Sequence, residues 1–153
     1  MLAPPAPPAE ALPDLDTLDE LAIRSLILGI VYRTIGDYVT GRAMLNDALK
    51  HGTNVEISTW VGAVAYFELA VLEMKEGEQK ATELESAGSS EKAADDEKRS
   101  TMWDNTFKAA RAMLAEASGL CTREMDLSSR LDSRIVMLKE EIKKKMDMEG
   151  YEE

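Results

Sequence analysis

Six large apolar residues near the C-terminus, Leu127, Leu131, Ile135, Leu138, Ile142 and Met146, follow one another at intervals of four, four, three, four and four. Only an α-helix places such a series on one narrow stripe, because side chains three and four apart share a face. Lys143, Lys144 and Lys145 sit where their charge favours the C-terminal end of that helix. The stripe needs a surface to cover, and the rest of the chain has to supply it with helices of its own. Ala, Leu, Glu, Lys and Met are abundant while aromatics make up only 5% of the residues, so helix is the expected state throughout.

Upstream, "TLDE" forms a capping box in which Thr17 and Glu20 satisfy each other's backbone, starting a helix near Leu18. Leu21, Ile23, Leu26, Ile27, Ile30, Val31 and Ile35 surround most of that helix, which predicts burial on more than one side. "GDY" breaks it, and a second helix is expected from about Val39 to Lys50. Ser58 is the expected N-cap of a third helix, from Thr59 to about Glu76, with Gly77 ending it. Residues 76–99 hold twice as many acidic as basic residues and almost no large apolar one, so a flexible polar insert is expected at about 79–99, a disordered loop in its middle with short helical ends. A fourth helix from about Thr101 to Ser118 would bury Trp103, Phe107, Ala110, Met113, Leu114 and Ala117, and end at Gly119. The fifth begins near Asp126. Residues 1–16, rich in proline, read as a disordered arm, residues 17–148 as the helical domain and 149–153 as a disordered tail.

The size, 153 residues, suits one domain. Its formal charge of −11 opposes phosphate backbones and anionic membranes, so nucleic acid is not an expected partner. "LAIRSLILGIVY" carries Arg24 and "WVGAVAYFELAVLEM" carries Glu68, so neither reads as a transmembrane segment. The N-terminus has neither a secretory h-region nor an Arg-rich presequence, and the single cysteine suits a reducing compartment, which together point to the cytoplasm.

Between the helices lies a repeat. Leu28, Gly29 and Tyr32 take the Leu-Gly-x-x-Tyr positions of a tetratricopeptide unit, Gly36 and Tyr38 the turn, and Gly41, Leu45 and Ala48 the small-large-small pattern of its second helix. Ser25 replaces the expected aromatic, Leu45 replaces phenylalanine, and the terminal proline is missing. The frame recurs at Tyr66, Leu69, Ala70 and Gly77, with its second helix at Ala110, Leu114 and Ala117 beyond the polar insert. The expected fold is therefore all-α: tetratricopeptide-like antiparallel hairpins closed by a C-terminal capping helix, about five main helices in all. Gly29 and Gly41 should let the first two helices approach closely, with Tyr32 and Leu45 filling the space beside them.

In such repeats the first helix of each unit faces a groove. That face would carry Ile23, Leu26, Ile30, Arg33 and Thr34 in the first unit and Val64, Phe67, Val71, Met74 and Lys75 in the second. It is mostly apolar and lacks the converging basic and amide groups that an acidic C-terminal tail requires. The fifth helix or a missing region would cover it, or an apolar partner helix would. The stripe of the fifth helix would cap the array, with self-association as the alternative.

No chemistry-bearing constellation emerges. His51 and Cys121 each follow a helix without an orienting third group, Glu68 and Glu73 suit salt bridges, and Asp95 with Asp96 lacks calcium-loop spacing. No catalytic, cofactor or metal residue is assigned, and a small helical enzyme is the least favoured reading.

"LAIRSLILGIVYRTIGDYVTGRAMLNDALKH", "ISTWVGAVAYFELAVLEMKEGE" and "ARAMLAEASGLCTREMDLSSRLDSRIVMLKEEI" together resemble the C-terminal part of the fungal inclusion-body clearance proteins. These are also called mitochondrial outer-membrane proteins and are related to tetratricopeptide repeat protein 39 of animals. The resemblance runs from about Leu18 to Met146 apart from the polar insert, with "SRLDSRI" and the Trp60 segment its most specific parts. It implies a piece of a longer protein and a non-enzymatic adaptor in the clearance of protein inclusions, linked to lipid-droplet proteins. It also implies the cytoplasm and nucleus, with peripheral contact to mitochondria or lipid droplets open. The alternative reading is a homo-oligomeric helical scaffold.

Overall fold

Thr17 Oγ1 accepts the backbone N–H of Glu20 at 3.2 Å. The Glu20 carboxylate accepts the N–H of Thr17 at 2.7 Å in return, which closes the expected capping box. From it α1 runs Leu18–Thr34. The computed structural model describes residues 16–88, 92–121 and 128–151, and the remaining helices are α2 (Tyr38–Gly52), α3 (Val61–Ala87), α4 (Lys92–Leu120) and α5 (Ser128–Met148). Among the described residues all five elements are helices, as the composition favours. Residues 1–15, most of the expected arm, and Leu127, the first position of the C-terminal stripe, lie outside the described residues.

Gly36 at φ +86° turns the chain between α1 and α2. Asp37 caps α2 by accepting the Thr40 N–H at 3.0 Å, as a short acidic side chain does at this position. The two helices meet where Gly29 faces Leu45. A Cβ on Gly29 would stand 2.6 Å from Leu45 Cγ, and one on Gly41 would stand 3.0 Å from the Arg33 backbone nitrogen. The close approach expected of these two glycines is what joins the hairpin.

The α3–α4 hairpin departs from expectation in three ways. Ser58 does not cap α3 with its side chain: its N–H is held by Asp19 Oδ1 at 2.6 Å, its carbonyl accepts from Val61, and the helix starts at Val61. Asp19 also accepts the N–H groups of Glu56 and Ile57, so the α2–α3 connector is tied to the first turn of α1.

Gly77 does not end α3. A Cβ there would meet Thr106 Cγ2 at 2.8 Å and Trp103 at 3.1 Å, which makes it a contact glycine like Gly29. The helix ends instead at Gly88, whose φ is +35°, the left-handed conformation usual after a helix.

The third departure is the expected polar insert at 79–99, of which residues 79–87 and 92–99 are helical, with 89–91 outside the described residues. Good helix formers, the Lys80–Glu76 pair and the Gln79–Glu83 hydrogen bond support the first arm. Ala81 is buried on it, and Arg99 pairs across the hairpin with Glu85.

Two cores result. Ala22, Leu26, Leu45, Ala48, Val61, Ala65, Leu69 and Leu72 join α1, α2 and α3. The other joins α3, α4 and α5, and includes Phe67, Met74, Trp103, Phe107 and Leu114 with the stripe Leu131, Ile135, Leu138, Ile142 and Met146. The stripe is spent on this second core, as a capping helix requires. Gly29 beside Leu45 and Gly52 beside Gly62 set α2 antiparallel to both α1 and α3. Arg99, near the start of α4, meets Glu85 late in α3 and Glu149 just after α5, so α4 is antiparallel to both. α1, α3 and α5 therefore point one way.

Burial in the second helices of the two hairpins matches: Gly41, Leu45 and Ala48 are buried, and so are Ala110, Leu114 and Ala117, each displaced by the same 69 residues. Leu69 and Ala70 are also buried and Tyr32 and Tyr66 half-buried, but Leu28 is exposed.

Two further expectations change. The outer face of α1 is open rather than buried, with Ile27, Val31 and Ile35 exposed, because α2 and α3 pack on the other sides. Of the tail expected at 149–153, residues 149–151 lie against α4. Glu149 pairs with Arg99 at 3.0 Å, and the Tyr151 ring meets Phe107 edge-on at 5.3 Å.

Candidate interaction groove

The positions on α3 that the sequence assigns to a groove fall into two groups. Phe67 and Met74 are buried in the α3–α5 core, whereas Val71 is half-buried and Lys75 exposed. Beside them a recess of about 500 Å³ opens between α3 and α5, reaching Arg33 at the end of α1. Its floor is Phe67, Val71, Met74 and Leu138, and Met137 and Met148 of α5 form an apolar rim that is largely exposed. Arg33, Lys75, Arg134, Lys144 and Lys145 also line it, against Glu78 and Glu141.

Glu68 fixes the inner end of this recess. Although only 3% exposed, it accepts from Arg33 at 2.8 Å and from Arg134 at 3.1 Å, drawing three helices onto one carboxylate. The Arg134 guanidinium also stacks over Phe67, 4.3 Å from the ring centre, and this cation–π contact holds down the floor. Arg33 keeps one buried N–H, at Nε, without an acceptor. Glu73, by contrast, pairs with Arg42 at 2.9 Å on the far side, where Arg42 also meets Glu76. Lys145 lies over Trp103 at 4.8 Å and pairs with Glu149 at 3.1 Å.

Five of the ten expected groove residues therefore converge: Arg33, Phe67, Val71, Met74 and Lys75. The other five do not reach the recess. Leu26 is core, Ile23, Ile30 and Val64 are half-buried against the α1–α3 core, and the exposed Thr34 hydroxyl donates to its own helix at Ile30 O, 2.7 Å away. The α5 contribution escapes a reading of the first helices alone. Its only sequence signal is that Arg134, Met137, Lys144 and Met148 flank the apolar stripe.

Elsewhere the chemistry is sparse. The Cys121 thiol lies beside Asp132, and burial together with that carboxylate pushes it up to about 11, away from a nucleophile's range. Among the described residues no three His, Cys, Asp or Glu side chains gather to hold a metal, and no helix is long and apolar enough to cross a membrane. Comparisons with family models, with curated proteins and with solved structures find no match to this chain.

Proposed function

We propose that the chain is a tetratricopeptide-like protein-interaction module that binds partners in the recess between α3 and α5. The observation that carries this reading is the combination of an apolar floor, an exposed methionine rim and a cationic border in one concave surface of ligand-binding size. The matched burial of the two hairpins at a constant offset supports the repeat geometry. An adaptor role in the clearance of protein inclusions, with lipid-droplet proteins as partners, rests on the sequence resemblance to the inclusion-body clearance family. The cytoplasm or nucleus follows from the same resemblance.

Binding is tested by recovering partners with the purified chain and with a Met137→Asp variant. Met137 is 61% exposed, so its replacement should remove recovered partners while helicity and thermal stability stay unchanged. Equal recovery by both proteins refutes the groove as the binding surface. Phe67 and Arg33 are less suitable probes, since one is core and the other is joined to buried Glu68.

A homo-oligomeric scaffold is the second reading. The α5 stripe is occupied within the chain, but Ile27, Val31 and Ile35 follow at intervals of four along the open face of α1, all exposed. Exposed apolar surface of this kind marks a contact face. Light scattering separates the readings, because a monomer at high micromolar concentration excludes the scaffold.

A further inference from the structure

The charge of the recess is opposite to that of the chain. Across the whole sequence 29 acidic residues face 18 basic ones, yet five cations and two carboxylates line this surface. Arg33 and Arg134 at the inner end are committed to Glu68, and Lys145 to Glu149. Lys75 and Lys144 stand on opposite walls, one on α3 and one on α5, and both are exposed. Lys75 meets Glu78 only as an i,i+3 pair in which both side chains are open to water, an arrangement that holds it weakly. Val71 on the α3 wall and Met137 and Met148 on the α5 wall add apolar surface beside these lysines.

The length and shape narrow the occupant. From Arg134 to Met148 the wall supplied by α5 extends roughly 20 Å at the rise of an α-helix. α3 runs in the same direction beside it, and a trough between two such helices suits a third helix of about four turns. We infer that this recess docks an acidic amphipathic helix of a partner protein, its apolar stripe on Val71, Met137 and Met148 and its carboxylates on Lys75 and Lys144. The inference rests on the interaction-module reading and adds the charge and shape of the ligand. An anionic membrane is the less favoured occupant, because a flat surface does not enter a trough and the chain's charge of −11 opposes it.

The test displays a library of four-turn helices with leucine fixed at i, i+3, i+4 and i+7 and the flanking positions drawn equally from Glu, Gln and Lys. The full chain and a Lys75→Glu, Lys144→Glu variant are used as baits, with unchanged circular dichroism and melting as the control for folding. Enrichment of Glu-flanked helices by the wild-type chain is expected. Resynthesised winners should bind the variant at least about tenfold more weakly and lose affinity as salt rises.

Enrichment of Lys- or Gln-flanked helices overturns the acidic assignment and leaves the interaction module standing. No enrichment over bare display overturns both. Phosphatidylserine vesicles are tested in parallel, and lipid binding that is abolished by the same double substitution assigns the surface to membranes and overturns the helix proposal.

Discussion

Removing the Glu68 carboxylate should cost more stability than any other single charge change in the chain. Its buried side chain receives Arg33 and Arg134 at 2.8 and 3.1 Å. With Glu68→Ala, the Arg33 guanidinium, 17% exposed, loses its acceptor while its Nε already has none. Breaking a buried ion pair costs about 3–5 kcal/mol. Arg134, 53% exposed, can turn into water, and Arg33 is not sealed completely. The lower end therefore applies, about 3 kcal/mol. Against an expected total of about 5–15 kcal/mol, that is a large share.

Urea unfolding followed by circular dichroism measures it directly. With a slope of about 2 kcal/mol/M, the midpoint should fall by about 1.5 M. Arg33→Met should cost less than Glu68→Ala because Arg134 still partners the carboxylate. Arg134→Ala should cost least, about 1 kcal/mol or below, as an exposed pair does.

The decisive comparison is the double replacement Arg33→Met with Glu68→Leu, which removes charge from both sides. Apolar groups of similar volume often replace a buried pair without loss, so the double variant should recover much of what Glu68→Ala loses. A Glu68→Ala loss below about 1 kcal/mol, the worth of an exposed pair, or a double variant no more stable than Glu68→Ala, refutes the claim that an uncompensated buried guanidinium sets the cost.

Three further outcomes follow from particular contacts. Gly29→Ala clashes with Leu45 and should destabilise by about 1–3 kcal/mol through overpacking. In thermal melts beside it, Gly119→Ala, which meets nothing within 4 Å, should leave stability unchanged or raise it by up to about 1 kcal/mol. The Cys121 thiol, held up to about 11 by burial and then by Asp132, should react slowly with a disulfide reagent at neutral pH, and Asp132→Asn should speed it. A rate that rises through about pH 8.5, as for a free thiol, contradicts this. Four carboxyls are held below their ordinary values: Asp19 by the Ser58 N–H, Asp37 by Thr40, and Glu149 by Arg99, while at Glu76 burial pushes up and the hydrogen bonds from Arg42 and Lys80 more than reverse it. Lowered folded values mean stability is fully present above about pH 5 and is lost as pH falls through about 4 and below, so urea midpoints should be level from neutrality down to that point and then drop.

The parts of the fold legible in the sequence are those carried by local periodicity. The stripe from Leu131 to Met146 and the Thr17–Glu20 box needed no partner to be read, and each is realised at those residues. The polar segment misled because its good helix formers carry almost no apolar pattern, and the remaining support comes from across the hairpin. Ala81 is buried in the α3–α5 core and Arg99 joins Glu85 to Glu149, contacts made only after α3 and α4 pair. The groove was half legible for a related reason. Helical spacing on α3 identifies which residues share a face, but the rotation of α5 that brings Met137 and Lys144 to the same recess depends on how its stripe seats against Phe67 and Trp103.

Glycine shows where this limit lies. Gly36 and Gly88 hold positive φ and turn the chain, whereas Gly29, Gly41 and Gly77 sit inside helices and are required by what lies opposite. Gly36 and Gly77 both follow apolar helical runs, so the preceding residues do not separate a turn glycine from a contact glycine. At Gly29 the repeat frame supplied the missing partner in Leu45. At Gly77 the facing residues, Trp103 and Thr106, lie beyond a polar stretch that suggested an interruption, and a contact glycine therefore looked like a terminus. The discriminating substitution is Gly77→Asn. At a left-handed terminus asparagine is among the tolerated replacements, but against Thr106 and Trp103 it should overpack the hairpin by about 1–3 kcal/mol. The same change at Gly88, where nothing lies within 4 Å, should be nearly silent. Equal melting temperatures for the two variants would mean that Gly77 ends a helix after all.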